Sequence, residues 1–138
     1  MRTIVFYFLV LILPINSLAE TTVKLKIENV EKNGGKVYVS IFNSEPTYKS
    51  REVYLSFILN SDKEIVIKEL NLPNGQYVFS IYQDSNGNGK LDTNLIGIPK
   101  EKFGFTNYDG KSAPGSYNRH KVVINEKVNE IVVRLYKI

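Results

Sequence analysis

The amino-acid sequence predicts an all-β protein, a seven-stranded antiparallel β-sandwich of immunoglobulin-like type. Three observations lead to this prediction. Apolar and polar residues alternate over most of residues 20–138, turn signals separate the alternating segments, and no segment is convincing as a helix. The chain contains no cysteine, so this fold has to be stable without disulfides.

The first two strands are predicted on either side of a hairpin turn. Residues 22–30 alternate, which places Val23, Leu25 and Ile27 on one face. The pair Asn33-Gly34 follows, and it predicts a hairpin turn because both residues tolerate positive φ. Residues 36–42 alternate again and form the second strand.

The next five strands follow from the same pattern. Residues 43–50 contain Pro46 and several polar residues, which predicts a connection. Strands three and four are predicted at residues 52–59 and 63–70, and strand five follows the Leu72-Pro73-Asn74-Gly75 turn and runs to residue 84. The last two strands lie within residues 121–138, with a hinge at residues 125–129.

The turn before strand five contains a short motif. Leu72-Pro73-x-Gly75-x-Tyr77 resembles a segment of transthyretin-like and carboxypeptidase-regulatory-like sandwiches. The resemblance implies that this turn leads into an inner strand and that Tyr77 packs at a corner. It makes a transthyretin-like sandwich the alternative to the immunoglobulin-like one.

A long insertion, residues 84–120, is predicted between strands five and six. Loops of this length are uncommon in compact domains and are usually functional or disordered. Four aromatic residues argue that this one is folded and caps one end of the sandwich. We expect Phe103 and Phe105 to fill a small core beneath the insertion, and only Tyr108 and Tyr117 to be candidates for an exposed binding platform.

The insertion begins with an oxygen-rich stretch, QDSNGNGKLDT at residues 83–93. Calcium loops of EF-hand type use side-chain oxygens at positions 1, 3 and 5, glycine at 6, a carbonyl at 7 and a ligand at 9. The matching metal ligands here are Asp84, Asn86, Asn88, the carbonyl of Lys90, and Asp92, with Gly89 at position 6. The pattern predicts a weak calcium site, with Kd on the order of 10⁻⁴ to 10⁻³ M.

Position 12 departs from that pattern, because Leu95 cannot supply the bidentate acid. Asp92 offers an acid three residues earlier, and Glu101 and Asp109 are the candidates to reach in from the same insertion. The alternative is a polar turn in which the Asp and Asn side chains bond to their own backbone. With no cysteine and one histidine, zinc is not expected.

Larger motifs point to a family. The run from Asp84 to Asp92, followed by Gly97-Ile98-Pro99-Lys100-Glu101 and Gly104-Phe105, resembles the bacterial family known as domain of unknown function 2141. Residues 113–117 match a further family motif, with Tyr117 in place of phenylalanine. The resemblance covers most of residues 20–138. It implies an exported protein and supports the predicted fold, but it implies no activity.

The first nineteen residues are predicted to be a signal peptide. Arg2 precedes a short apolar run, and Ser17-Leu18-Ala19 provides the small residues of a cleavage site. Residues 20–138 would then form a single exported domain, periplasmic or secreted, with no stable membrane span after cleavage. Without residues 1–19 the net charge falls from +4 to +3, and no basic block with interleaved aromatics indicates nucleic-acid binding.

Two classes of function remain open from the residues alone. The first is a non-enzymatic binding or structural module of the bacterial envelope, with an envelope protein, a peptide or a glycan as its partner. The second is a hydrolase whose active groups lie in the insertion, since His120, Ser116, Asp109 and Glu101 all occur there. Ser116 lacks the Gly-x-Ser-x-Gly context, so no catalytic residue is assigned.

Overall fold

A computed structural model describes Pro14 and residues 18–138, and in this part of the chain the fold is mostly β. The all-β prediction is confirmed. Eight strands and two short helices follow in the order β1 (Glu20–Glu28), β2 (Lys36–Phe42), α1 (Glu45–Ser50), β3 (Leu55–Leu59), β4 (Val66–Pro73), β5 (Gly75–Asp84), β6 (Phe103–Phe105), α2 (Tyr117–His120), β7 (Val122–Ile124) and β8 (Glu130–Arg134).

The strands form two sheets. One sheet has the order β4-β1-β8, and the other has the order β3-β2-β5-β6, with β7 also paired to β5. β5 lies inside the larger sheet, since its residues 78–84 pair with β2, from Phe42↔Val78 to Lys36↔Asp84, and its residues 80–82 pair with β6 on the other side. Its C-terminal end therefore carries the start of the predicted calcium loop.

Both sheets contribute to one hydrophobic core. The alternation of β1 and β2 is the cause, because every second side chain points to the same face. Apolar residues of six strands meet there almost without exposure, and they include Val23, Leu25, Ile27, Val37, Val39, Ile41, Leu72, Phe79, Ile81, Ile124, Ile131 and Val133. The two sheets are thus held together by aliphatic packing rather than by covalent links.

The strand count and the strand directions differ from the prediction. There are eight strands among the described residues rather than seven, because Phe103–Phe105 adds a three-residue strand too short to show alternation. The sheets are also not wholly antiparallel. β1 and β8 pair in parallel, from Lys24↔Glu130 to Glu28↔Arg134. The segment between them is nearly the whole domain, so no local turn signal indicates their direction.

The connection predicted at residues 43–50 contains a helix. Ser44 caps α1, since its hydroxyl accepts from the Thr47 N–H, and Pro46 occupies the first turn, where a missing N–H costs nothing. Ser116 caps α2 in the same way through the Arg119 N–H. Both helices are shorter than two turns, which explains why sequence periodicity did not indicate them.

The insertion is folded, as expected, but its tyrosines are not exposed. Phe103 is buried and Phe105 is partly buried, which confirms the small core beneath the insertion. Tyr108 and Tyr117 are buried as well, so the prediction of an exposed aromatic platform is wrong. Tyr108 packs edge-on against Phe105, and the Tyr117 hydroxyl donates to the Gln76 carbonyl over 2.8 Å. The insertion needs these rings for its own core.

One edge of the structure links the two sheets. Beyond β8 the chain crosses to β6, where the Phe103 N–H donates to the Tyr136 carbonyl and the Tyr136 N–H donates back, at 2.9 and 2.8 Å. Gly104 allows this approach, because a Cβ at that position would lie 2.3 Å from the Arg134 carbonyl oxygen. The insertion is thereby attached to both sheets.

The predicted signal peptide, residues 1–19, lies outside the described residues except for residues 14, 18 and 19. Within the described part of the chain, no helix has the length and apolarity needed to cross a membrane.

Candidate metal site

The candidate loop, residues 84–92, starts where β5 ends. Asp84 is the last residue of that strand, and its pairing with Lys36 of β2 fixes its position. Beyond it the chain turns sharply through Gly89, whose φ of 71° is unfavourable for other residues. The Gly89 N–H donates to Oδ2 of Asp84 over 2.7 Å. The loop therefore folds back onto the carboxylate at its first position.

Asn86 and Asn88 both stabilise the loop backbone. Oδ1 of Asn86 accepts from the Asn88 N–H at 3.2 Å, and Oδ1 of Asn88 accepts from the Lys90 N–H at 3.0 Å. These are the Asx turns of the alternative interpretation. Each amide oxygen has two lone pairs and uses one of them in its turn, so each retains a lone pair for a cation.

Asp92 closes the loop from its far end. Its carboxylate accepts from the side-chain amides of Asn88, at 2.9 Å to each oxygen, and of Asn86, at 2.5 Å. These hydrogen bonds, first from Asn88 and then from Asn86, lower the pKa of Asp92, and Lys100 and Lys90 nearby lower it further. Asp92 is thus an anion at neutral pH. The structure brings Asp84, Asn86, Asn88 and Asp92 into one compact loop.

Lys90 contributes through its backbone. Its side chain is exposed, and its N–H is the donor to Asn88. The carbonyl just before it, that of Gly89, accepts from the Tyr82 hydroxyl over 3.1 Å. The loop thus lies against Tyr82, which stacks on Tyr38 with 5.0 Å between ring centroids.

Asp84 is the most unusual group of the loop. Its side chain is only 2% exposed, and the hydrogen bond from Gly89 uses Oδ2 alone. Oδ1 has no hydrogen-bond partner, and within the described residues it is the one buried side-chain oxygen or nitrogen in that condition. An unpartnered buried carboxylate oxygen costs free energy because it has lost its hydration. This cost is removed if a cation contacts it.

Glu101 is the acid that reaches the loop from outside it. It is 4% exposed. Oε1 accepts from the N–H of Ser85 at 2.9 Å, and Oε2 accepts from the N–H of Asp92 at 3.3 Å. Glu101 therefore bridges the two ends of the loop, while Asp109 instead accepts from the Lys111 N–H. Of the candidates for the missing acid, the structure brings Glu101 to the loop.

The carboxylates also affect a neighbouring tyrosine. Burial, together with the nearby Asp84, Tyr38, Glu101 and Asp92, raises the pKa of Tyr82 to about 12. The loop is thus a region of concentrated negative charge. A pocket of about 390 Å³ opens beside it, lined by Ser85, Asn86, Asp92, Thr93, Lys100 and Glu101.

Carboxylates alone do not complete a metal site here. In the part of the chain that the structure describes, no group of three or more Asp, Glu, His or Cys side chains is arranged to hold a metal ion. Calcium accepts amide and backbone carbonyl oxygens as well as carboxylates. A site in this loop therefore needs the asparagine and main-chain oxygens.

The groups of the hydrolase hypothesis have other roles. His120 is completely buried, and both of its ring nitrogens are used by the backbone. Nε2 accepts from the Gly115 N–H at 2.7 Å, so Nδ1 carries the proton and donates to the Thr106 carbonyl at 3.0 Å. Burial lowers the pKa of His120. Ser116 caps α2, and Glu101 accepts from the backbone of the loop at residues 84–92, so these residues do not form a Ser-His-acid triad.

Sequence reasoning did not identify Gln83, which supports the loop from below. Gln83 is buried, and its amide donates to the carbonyls of Glu31 and Gly35, while its oxygen accepts from the Glu31 N–H. It thereby fastens the β1–β2 turn to the end of β5. Gln83 is a polar residue at a core-facing position of β5, and this pattern could have indicated its buried role.

Together these features define an all-β protein of two sheets with an oxygen-rich loop at the end of its central strand. Residues 25–132 match the family described as an uncharacterized protein conserved in bacteria, DUF2141. The chain belongs to this family, and the match includes both the loop and Glu101. No curated protein and no solved structure matches the chain.

Proposed function

We propose that the protein is a calcium-binding module of the bacterial envelope, with its ion in the loop of residues 84–92. The observation that carries this proposal is the unpartnered Oδ1 of Asp84, a charged oxygen that is almost completely buried. Natural proteins seldom leave such an atom without a partner, because its lost hydration costs about 1 to 3 kcal/mol, and more for a charged group. A cation bound in the loop would be coordinated by this oxygen and would compensate for its lost hydration.

The ligand set suits calcium. Asp84 and Asp92 supply carboxylates, Asn86 and Asn88 supply amide oxygens, and the carbonyl of Lys90 follows Gly89 as in EF-hand loops. These five groups approach the six to eight oxygens that calcium takes, and water completes the shell. Glu101 fixes both ends of the loop through Ser85 and Asp92, which reduces the ordering that binding requires.

The affinity is expected to be low. Two of the five ligands are charged, and EF-hand loops of high affinity also have a bidentate glutamate at position 12, where this chain has Leu95. A Kd on the order of 10⁻⁴ to 10⁻³ M is appropriate to extracellular calcium. This agrees with the predicted export of the protein, in which residues 1–19 are removed and Glu20 becomes the first residue.

The calcium loop serves, in this proposal, to rigidify a non-enzymatic binding or structural module. The module is an immunoglobulin-like or transthyretin-like sandwich, and the two sheets around one core support that description. Its partner is an envelope protein, a peptide or a glycan. Because Tyr108 and Tyr117 are buried, recognition falls to other exposed residues of the insertion.

Calorimetry tests the calcium proposal. Calcium titrated into metal-free protein should bind with a Kd in the range given above, and magnesium should bind more weakly because it keeps its water and prefers a smaller octahedral shell. Asp84→Ala should abolish binding, because it removes the buried charged ligand. Lys90→Ala is the matched control and should bind like the native protein, since only the carbonyl of residue 90 is used.

Two results would contradict the proposal. The first is a native protein that shows neither heat of binding nor any shift of the Gly87 and Gly89 amide signals in NMR spectra at millimolar calcium. The second is an Asp84→Ala variant that is folded and binds calcium normally. Export is tested separately by N-terminal sequencing, since a chain that still begins at Met1 in the membrane fraction would show that no cleavage occurs.

A further inference from the structure

The sequence contains four Asn-Gly pairs, and the fold holds them in different ways. In such a pair the backbone nitrogen of the glycine can attack the side-chain carbonyl carbon of the asparagine, because glycine has no side chain to obstruct the approach. The attack requires a glycine N–H that is free to move and an asparagine side chain that is not fixed elsewhere. The pairs are Asn33-Gly34, Asn74-Gly75, Asn86-Gly87 and Asn88-Gly89.

Hydrogen bonds hold the attacking nitrogen in two of these pairs. The Gly34 N–H donates to the Glu31 carbonyl at 2.9 Å. The Gly89 N–H donates to the carboxylate of Asp84 at 2.7 Å, and a hydrogen bond to a charged acceptor is stronger than one to a neutral carbonyl. In both pairs the nitrogen has to leave its acceptor before it can attack, which slows the reaction.

In the pair Asn74-Gly75 both residues are held by neighbouring elements. Oδ1 of Asn74 accepts from the Thr21 hydroxyl at 2.7 Å. Gly75 is the first residue of β5 and lies opposite Ile124 in the ladder of β5 and β7. Attack within this pair would disturb the side-chain contact and the end of the ladder.

The pair Asn86-Gly87 lacks such protection of its nitrogen. Both residues are exposed, and among the residues that the structure describes the Gly87 N–H has no acceptor. A Cβ built on Gly87 would meet no atom within 4 Å other than those of its chain neighbours. The space around the Gly87 nitrogen is therefore open.

The side chain of Asn86 is also oriented for this attack. Its Oδ1 accepts from the Asn88 N–H at 3.2 Å, and this donor stabilises the negative charge that develops on the oxygen when the carbon is attacked. The ring that this hydrogen bond closes contains both Cγ of Asn86 and the nitrogen of Gly87, so it limits how far the two atoms can separate.

We propose that Asn86 is a site of spontaneous deamidation. The Gly87 nitrogen forms a bond to Cγ of Asn86 and gives up its proton. The bond from Cγ to Nδ2 breaks, and the departing nitrogen leaves with that proton as ammonia. Water then opens the cyclic imide at one of its two carbonyl carbons, with the hydroxyl on that carbon and the remaining hydrogen on the imide nitrogen. Residue 86 becomes aspartate or isoaspartate.

The products alter the candidate calcium loop, and this consequence rests on the proposed function. Residue 86 is at position 3, so the aspartate product raises the number of charged ligands from two to three. In metal-free protein the new carboxylate faces Asp92, to which the Asn86 amide donates at 2.5 Å, and a cation removes the resulting repulsion. Isoaspartate instead adds a carbon to the main chain and breaks the ligand spacing. Deamidation thus produces one form that binds calcium more tightly and one that binds it more weakly.

Peptide mapping by mass spectrometry in EDTA tests the modification without any contribution from calcium. Native protein is incubated at mildly alkaline pH, and a parallel sample is incubated in guanidinium chloride. In the folded sample Asn86 should react about tenfold to a hundredfold faster than Asn88, because the Gly89 N–H has to leave a charged acceptor. Asn86 should react about twofold to tenfold faster than Asn33, whose glycine donates to a neutral carbonyl. In guanidinium chloride the rates should become similar.

Gly87→Ala is the control for the attacking nitrogen. A methyl group on residue 87 obstructs the approach, so the reaction at Asn86 should slow severalfold, while Asn33 and Asn74 should react as in the native protein. If folded native protein is modified at Asn86 no faster than at Asn33, Asn74 or Asn88, the proposal is wrong. An unchanged Asn86 rate in folded Gly87→Ala would equally overturn it.

Calorimetry separates the modification from the calcium site. Asn86→Asp reproduces the aspartate product and should bind calcium about threefold to tenfold more tightly than the native protein. If the native protein binds calcium and Asn86→Asp binds it no more tightly, the effect on the loop is wrong. If neither protein binds calcium, the proposed calcium site is wrong, while the rates measured in EDTA still decide the modification.

Discussion

His120 makes the stability of this protein depend on pH in a way that can be isolated. It is the single histidine of the chain, it is completely buried, and its neutral form accepts from Gly115 and donates to Thr106. Protonation of Nε2 would make two N–H groups, those of His120 and Gly115, face each other, and it would bury a positive charge. Burial accordingly lowers the pKa of His120 in the folded protein below its usual value of 6.5.

The direction of the effect follows from linkage. Below about pH 6.5 the unfolded chain binds a proton at His120 and the folded chain does not, so the free energy of unfolding decreases as the pH falls. Above that pH the contribution is fully present. One proton changes the free energy of unfolding by at most about 1.4 kcal/mol per pH unit. The unfolded chain takes up this proton mainly below about pH 6.5, so only the lower half of the interval from pH 7.5 to 5.5 contributes. The loss of stability over the whole interval is therefore at most about 1.4 kcal/mol.

The assay is urea unfolding at pH 7.5, 6.5 and 5.5, with His120→Phe as the comparison. Phenylalanine preserves the stacking of ring 120 on Phe105, at 5.2 Å between centroids, but leaves Gly115 and Thr106 without their partner. We expect the variant to be about 2 to 4 kcal/mol less stable at pH 7.5. The difference should become smaller at pH 5.5, because only the native protein has the histidine-linked loss.

Two results would refute this reasoning. One is a difference between native and variant free energies of unfolding that stays constant from pH 7.5 to 5.5. The other comes from the native protein alone and covers the case of a variant that does not fold. If the single histidine ring signal in NMR spectra titrates with a pKa of 6.5 or above, the assignment of His120 as a buried neutral imidazole is wrong.

Three further predictions concern the loop and the edge of the sheets. Calcium at ten times its Kd should stabilise the native protein by about 1.4 kcal/mol and raise Tm by roughly 4 to 6 °C, and an unchanged melting curve would contradict this. Glu101→Ala should lower the free energy of unfolding in EDTA by about 2 to 4 kcal/mol, because the N–H groups of Ser85 and Asp92 lose their acceptor; a change below about 0.5 kcal/mol would show that the bridge is unimportant. Gly104→Ala should lower the free energy of unfolding in urea by more than about 2 kcal/mol, because a Cβ would lie 2.3 Å from a carbonyl oxygen. Gly75→Ala is the control. A Cβ there would lie 3.6 Å from its nearest atom, so the free energy of unfolding should fall by less than about 1 kcal/mol.

The sequence allowed the long strands to be predicted because their alternation is local. β1, β2 and β5 have seven to ten residues each, enough for period two to be recognised. β4 lies three residues later than predicted, at Val66–Pro73, because its pairing with β1 extends from Ile27↔Val66 to Glu20↔Pro73. Its position depends on a partner strand about forty to fifty residues away in sequence, and local patterns carry no such information.

In the candidate site, too, the residues that are close in sequence could be predicted, and the one that depends on strand pairing could not be singled out. Spacing alone indicated Asp84, Asn86, Asn88 and Asp92, since these residues are close in sequence and one turn brings them together. Glu101 was one of several candidates, and only the pairing of β6 with β5 returns the chain so that its carboxylate reaches Ser85. Tyr108 and Tyr117 were candidates for an exposed platform, but both are buried and both hydroxyls donate to backbone carbonyls.

The parallel pairing of β1 with β8 has a consequence for how the protein folds. Contacts such as that between Asn29 and Leu135 join residues 106 positions apart, and such topologies fold slowly, over milliseconds to seconds. During synthesis β4 can join β1 long before residues 130–134 emerge. Until then one edge of β1 lacks its partner and can pair with another chain. Lys24 and Lys26 lie on that strand, and their charges oppose such association during the interval in which the nascent chain is most vulnerable.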